Sequence, residues 1–562
     1  MKTYFTLLLF FSFYAFGQPN GVTLLDHKNI PHGQSGQGTY YSSCWGWVSP
    51  TGEEYAFLGN YDGMSIYSMV GDSLHEIQFI PGPHAGYAYR EMKTYKHYLY
   101  IVSEGNVGGQ ANGVQIVDLS QLPDTAVLVK NFNYTSGNKN ILRSHTVTLA
   151  DGYLYLNGSA NWSPGGMVIF DLHNDPTTPV YVGQYEPEYI HDSYVRNDTI
   201  FAAAIYSNGG LYVANAHNKA NPTLIKKVTY SGSGTHHCWE TIDNNYALTT
   251  DEIGTINELR IFNFKNLGAG PPYTPAAEWR ANATDLTHNV HGRGNYAYVS
   301  HYAAGARVVD IHNPLSPVEA GYYDTDSNSV AGYEGCWAVY PYFFSGRWIA
   351  SDMTRGLYLM NFTGLKPRTR PSLLSPLMND SVGNSSVTFS WTSAADKAED
   401  PHWYELHIEG SNVNKVIKSV DTAISVSDFS GLVHGQTYTW YVNVVDEFTE
   451  VLSTDSSKFI YNGVSTNVIE SLIVPEVVSL SQNYPNPFNP STKFEFSLPK
   501  EEFVSLKIYN LAGEELTSLI DGIQPRGKYE MAWDASNYPS GIYLYRLTVG
   551  TTTETKKMIL TK

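Results

Sequence analysis

Residues 234–252, GTHHCWETIDNNYALTTDE, place two adjacent histidines, a cysteine and a tryptophan ahead of one strand-like run and a pair of acids at the end of the next. Imidazole and thiolate are ligands for Zn and Cu, carboxylates suit Ca, and His with Asp or Glu can also move protons. The theme recurs along the chain. A position opening an apolar strand is occupied by Arg90, His145, His191, His237 and His288 in turn, and the strands that follow supply Glu104, Asp251, Glu252 and His301 at their ends. If those two rows meet, His145, His191, His237, His288, His301, Asp251 and Glu252 are the candidate metal ligands. Arg90, Glu104, His236, Glu240 and His291 are then the candidate groups for a bound ligand. The expected cofactor is a divalent metal, Zn, Cu or Ca. Each imidazole would need a partner for its second nitrogen, and the acids can serve. The competing expectation is structural: equivalent His and Asp side chains tie the loops of neighbouring units together. No residue is assigned a catalytic role. G-x-S-x-G is absent, which argues against a hydrolase elbow. The glycine loops SEGNVGG and GSANWSPGG precede no helix that could cradle a phosphate.

The elements that must bring these groups together are short strands. A unit of roughly 40 residues repeats, the period of a propeller or a solenoid. Its third strand ends in Asp or Asn, as in GVQIVDLSQLP (113–123), GGMVIFDLHNDP (165–176) and ARVVDIHNPLSP (306–317), and a Pro-marked turn leads to a fourth apolar run. Four antiparallel strands make a propeller blade. Seven units begin near Cys44, Arg90, His145, His191, His237, His288 and Gly335, and the last supplies only three strands. The run GVTLLDH (21–27) is expected to close the ring by pairing there, removing an exposed sheet edge. Strand starts and ends then converge at one mouth of the channel. Trp162, Tyr206, Tyr302 and Tyr333 are candidates to line it.

Composition agrees. Of 562 residues, 14% are aromatic and only 16% charged, with 43 Tyr, 48 Gly and 28 Pro, which favours strands and turns over charged helices. The formal net charge of −18 with no long basic run argues against a nucleic-acid partner. MKTYFTLLLFFSFYAFG (1–17) has the layout of a cleaved signal peptide, and no later run is long and apolar enough for a transmembrane helix. Three cysteines, Cys44, Cys238 and Cys336, are too few and too odd for a disulfide scaffold.

The stretches SSCWGWVSPTGEEYAFLGNYDGMSIY, VQIVD, RVVDI and HHCWE resemble secreted choice-of-anchor B proteins with LVIVD-type repeats, over about 20–362. That resemblance implies a propeller without an agreed activity. VTFSWTSAADKAEDPHWYELHIEG and QTYTWYVNVVDE resemble a fibronectin type III module, with Trp391 and Trp440 as its core. The segment from 478 to the end resembles the type A sorting domain of the type IX secretion system, matching at Asn483, Pro485, Asn486, Pro487, Phe488 and later Gly541. This implies passage through the outer membrane on the type IX machinery, removal of the domain, and often attachment to surface lipopolysaccharide. Neither that resemblance nor the strand pattern makes the sorting domain catalytic.

The expected organisation is all-β: signal peptide 1–17, seven-bladed propeller 18–365, linker 366–376, sandwich 377–464, linker 465–477 and sorting domain 478–562. The expected function is a secreted or surface propeller that binds a ligand or divalent metal at a His-rich mouth. The alternatives are a metal-dependent extracellular enzyme of redox or lyase type using the same ring, and a structural adhesin for a protein or polysaccharide.

Overall fold

The computed structural model describes residues 21–463 and 477–561, apart from 37, 85, 88, 106–112, 138, 142, 160–163, 207–208, 254–257, 265–269, 283–284, 328–331, 384–385, 396–400, 412, 501, 525–526, 537 and 551. The expected signal peptide, nearly all of the second linker and Trp162 lie outside the described residues. The chain divides into two compact units, Met1–Gly463 and Val464–Lys562.

Seven four-stranded antiparallel sheets occupy residues 22–362. Six are meanders of consecutive strands, from Tyr41–Val48 in the first blade to Val318–Tyr323 in the sixth. The seventh combines Cys336–Tyr340, Arg347–Asp352 and Gly356–Phe362 with Val22–Lys28 from the other end of the repeat. Val22 faces Phe362 and Lys28 faces Leu357 in that pairing. This is the ring closure expected from the missing fourth strand, and it leaves the propeller without an open seam.

The recurrent acid at the end of the third strand has a local cause. Asp118 Oδ1 accepts from Ser120 N (2.8 Å), Asp171 Oδ1 from His173 N (2.8 Å), Asn215 Oδ1 from His217 N (2.8 Å) and Asp310 Oδ1 from His312 N (2.9 Å). These Asx turns satisfy the backbone where the chain leaves for the outer strand. The third strands themselves are buried almost throughout, because both faces pack on neighbouring blades. The outer strands expose Val127, Val180, Leu224 and Val318.

A one-residue bulge opens the first strand in the first, fifth and seventh blades, between Tyr41 and Cys44, Thr235 and His237, and Cys336 and Ala338. These are the three cysteine-bearing blades. A bulge re-aims every side chain that precedes it.

Residues 373–461 form a two-sheet sandwich with Trp391 and Trp440 in its core, 2% and 0% exposed. The segment expected as a linker, 366–376, is instead packed and hydrogen-bonded. The Arg368 guanidinium pairs with Asp446 and donates to Thr449 Oγ1 (3.3 Å), while Arg370 donates to the carbonyls of Leu452 (2.8 Å) and Thr51 (3.0 Å). Leu452 N donates to Pro50 O at 2.8 Å. The sandwich is thereby fixed against the blade turns of the propeller.

The second unit is a smaller sandwich of three- and four-stranded sheets around Phe494, Leu506, Tyr545 and Met558. Its Pro/Asn-rich entry is structural. Asn483 donates to Pro485 O (3.1 Å) and Thr492 Oγ1 (2.9 Å), Asn486 Oδ1 accepts from Ile559 N (2.9 Å), and Phe488 is 2% exposed against Trp533. Pro487 follows a cis peptide bond in the same run, and Gly541 opens the strand Gly541–Val549. The motif therefore joins the start of this unit to its last strand.

Candidate functional site at the propeller mouth

The first strand of each blade lines the central channel, and its opening residue lies at one end of it. Four of these blades place an imidazole there, forming an arc. His145 and His191 have ring centroids 3.8 Å apart, His191 and His236 4.1 Å, His236 and His288 4.2 Å, and His288 and Trp337 4.4 Å. Trp337 stacks on Tyr89 at 5.0 Å and continues the rim.

One hydrogen-bond rule orients the arc. His191 Nδ1 donates to His236 O (3.2 Å), His236 Nδ1 to His288 O (3.1 Å) and His288 Nδ1 to Trp337 O (2.5 Å). His191, His236 and His288 thus each give the Nδ1 proton to the backbone of the next blade, whereas His145 Nδ1 faces Glu104. The Nε2 lone pair remains for another partner, the tautomer that metal-ligating histidines adopt. Burial, then the neighbouring imidazoles, holds His191 well below the usual histidine range, and burial first does the same to His288 and brings His236 to about 3. All three are neutral at pH 7.

Carboxylates flank the arc. Glu252 Oε2 lies 3.4 Å from His236 Nε2, and its other oxygen accepts from Tyr302 OH (2.5 Å). Ligand atoms of His191, His236 and Glu252 all fall within 4.8 Å of one another. Glu104 Oε1 lies 2.9 Å from His145 Nδ1 and its partner oxygen accepts from Tyr87 OH (3.3 Å). Burial disfavours the charged imidazole of His145, but Glu104 outweighs it and raises the histidine above its ordinary value. Exposed Tyr333 donates to Glu252 O (3.4 Å) with its ring centroid 5.6 Å from that of Tyr302, and exposed Tyr206 packs on Tyr189 beside His191.

The bulge in the fifth blade changes which histidine joins. His236, not His237, continues the arc, and His237 falls one step deeper, opposite Thr250. There its Nδ1 accepts from Val290 N (3.4 Å), its Nε2 faces Asp192 Oδ2 (3.7 Å), and its ring lies 5.1 Å from His291. Adjacent histidines so carry opposite tautomers. Burial raises Asp192 to about 7, against the opposing pull of Lys93.

Other expected members are elsewhere. Asp251 is wholly buried, paired with Arg260 and accepting from Tyr230 OH (2.7 Å) and Gly234 N (3.0 Å), so it is committed inside its blade. His301 is buried in an edge contact with Trp279 rather than at the channel. Arg90 turns outward to donate to Asn60 O (3.0 Å) and Tyr61 O (3.4 Å) of the first blade. Glu240 lies at the far end of its strand, among residues lining a different cavity. The three thiols are free and buried, with Cys44 pushed up to about 12 by burial and the others well above their usual value. They are not thiolate ligands in this state. Trp337 and Tyr89 are rim residues that the histidine pattern did not reveal; Trp337 repeats only as the tryptophan after each cysteine, like Trp45 and Trp239.

The opposite end of the channel is closed. Phe448 of the sandwich stacks on Tyr342 at 3.9 Å and approaches Trp45 (6.0 Å) and Trp239 (5.9 Å).

Comparison with known families agrees with this architecture. Residues 287–325, in the sixth blade, match the LVIVD repeat family, and residues 482–561 match the secretion system C-terminal sorting domain. The chain accordingly carries an LVIVD repeat within its β-propeller and a C-terminal type IX sorting domain, which indicates export to the cell surface or the extracellular space. Among solved structures it is similar to the WD40 repeats of RRP9 (8% identity, TM-score 0.41, covering 61% of this chain and 97% of that one). It is also similar to the computationally designed Ika8 protein (9% identity, TM-score 0.39, covering 60% and 100%). No curated protein matches the sequence. Among the described residues no helix is long and apolar enough to cross a membrane.

Proposed function

We propose that this exported propeller holds a divalent transition-metal ion at its open mouth on His191, His236 and Glu252, and presents it to a ligand from outside. The observation that carries this reading is the convergence of three ligand atoms within 4.8 Å while the second nitrogen of each imidazole is already engaged by backbone. Ligands on tetrahedral Zn stand about 3.4 Å apart at bond lengths near 2.0–2.1 Å, and His236 Nε2 and Glu252 Oε2 are 3.4 Å apart. Two neutral imidazoles and one carboxylate suit Zn or Cu better than Ca, which takes six to eight oxygens. Three protein ligands also leave a position open for an incoming group. The Glu104–His145 pair, with its imidazole 3.8 Å from His191, favours a second reading in which the same site is enzymatic and His145 moves a proton. After export, removal of the sorting domain and attachment to lipopolysaccharide would keep the mouth at the surface.

Elemental analysis of the purified exported protein tests the reading. Near-stoichiometric Zn or Cu is expected, with loss in His191→Ala/His236→Ala. A metal-free protein, or metal retained in the double variant, overturns it.

A further inference from the structure

At the closed end of the channel, a cavity of about 580 Å³ opens between the propeller and the sandwich. Its volume falls in the range of small-molecule sites, roughly 300–1,000 Å³. The propeller contributes Tyr194, Arg196, Trp239 and Glu240, and the sandwich contributes Trp403 and Glu447. Glu447 is exposed beside this space, and its Oε2 accepts from Tyr194 OH at 3.0 Å. Arg196 Nη1 lies 4.0 Å from Glu240 Oε2. Burial is the first cause that raises the Glu240 carboxyl to about 7, so near neutrality it is able to donate as well as accept.

We infer that this cavity binds an oligosaccharide, on aromatic walls and the carboxyl and guanidinium groups of Glu240, Glu447 and Arg196. Two chemical facts favour that class. Half-buried Trp403 and Phe448 offer apolar surface suited to the C–H faces of sugar rings. The polar groups are of mixed sign, which suits a ligand rich in hydroxyls and disfavours one dominated by a single charge. The site is independent of the proposed metal, which lies at the other mouth.

The full exported chain is titrated with soluble β-glucan, xylan and chitin oligosaccharides, with a polyanionic uronate oligosaccharide as the control expected not to bind, followed by tryptophan fluorescence and calorimetry. One class is expected to bind, with affinity weakened at least about tenfold, about 1.4 kcal/mol, in both Trp403→Ala and Glu447→Gln, and unchanged in His191→Ala/His236→Ala. No binding by any class overturns the inference. So does binding that survives both cavity variants, or binding lost in the double histidine variant. Circular dichroism of each variant confirms folding before titration.

Discussion

The two ends of the propeller channel are built from the same strands and reach opposite solutions. At the histidine mouth, three of the four imidazoles at the strand starts give their Nδ1 protons to neighbouring backbone, and the fourth, His145, faces Glu104. Towards the closed end, the first strands of the first, fourth and fifth blades carry Trp45, Tyr194 and Trp239; Tyr194 stacks on Trp239, and both tryptophans lie against Phe448 of the sandwich. Burying apolar rings needs only contact and is stabilised by exclusion of water. Burying imidazoles requires a partner for every nitrogen. The open mouth satisfies one nitrogen per ring internally, and this asymmetry separates a packing surface from a site.

The largest test of that contrast concerns Asp251, which resembles a mouth residue in sequence and behaves as a packing residue in space. Arg260→Ala leaves the buried Asp251 carboxylate without its cation and is expected to cost about 3–5 kcal/mol, measured by urea unfolding. Metal content of the folded fraction should not change; a loss of metal would return Asp251 to the mouth.

A smaller effect is expected at the closed end. Phe448→Ala removes a partly buried ring, so about 2 kcal/mol is expected, below the roughly 3–5 kcal/mol of a fully buried phenylalanine. Faster proteolytic release of the sandwich should accompany it. An unchanged cleavage rate would mean that Arg368 and Arg370 alone hold the two parts together.

The subtlest test uses pH. Asp192 is raised to about 7 by burial, so its contribution is fully present below the ordinary carboxylate range and is lost as pH rises through 7. Asp192→Asn should therefore stabilise the metal-free protein more at pH 8 than at pH 5. His191 and His288 have the opposite sign: held below 6.5 when folded, they favour the folded state above that value and less as acid protonates the unfolded chain. Replacing His191 by Gln should flatten the acid limb of the stability profile. Thermal unfolding across pH 5–8 measures both, and parallel profiles for variant and parent would remove either group from the account.

Much of the molecule was legible in the chain. The recurring third-strand acid marked blade boundaries because an Asx turn is a local device, and the short seventh unit called for a closing strand because an unpaired edge is costly. The sorting motif was equally readable, since Asn483 and Phe488 act within a few residues and one strand of each other. The histidine arc was legible only in part. His145, His191 and His288 stand where strand alignment puts them, whereas His237 yielded its place to His236 and Asp251 to Glu252.

Sequence alone determined the strand content, the repeat and its closure, the export route and the kinds of ligand atom at hand, because each follows from local propensity, periodicity or a contiguous motif. Tertiary structure decided which imidazoles face one another, that the presumed first linker is a weld, and that one end of the channel is sealed. The physical reason is register: a strand alternates faces at every residue, so a single bulged position between Thr235 and His237 exchanges the side chain in the channel, and composition carries no trace of that choice.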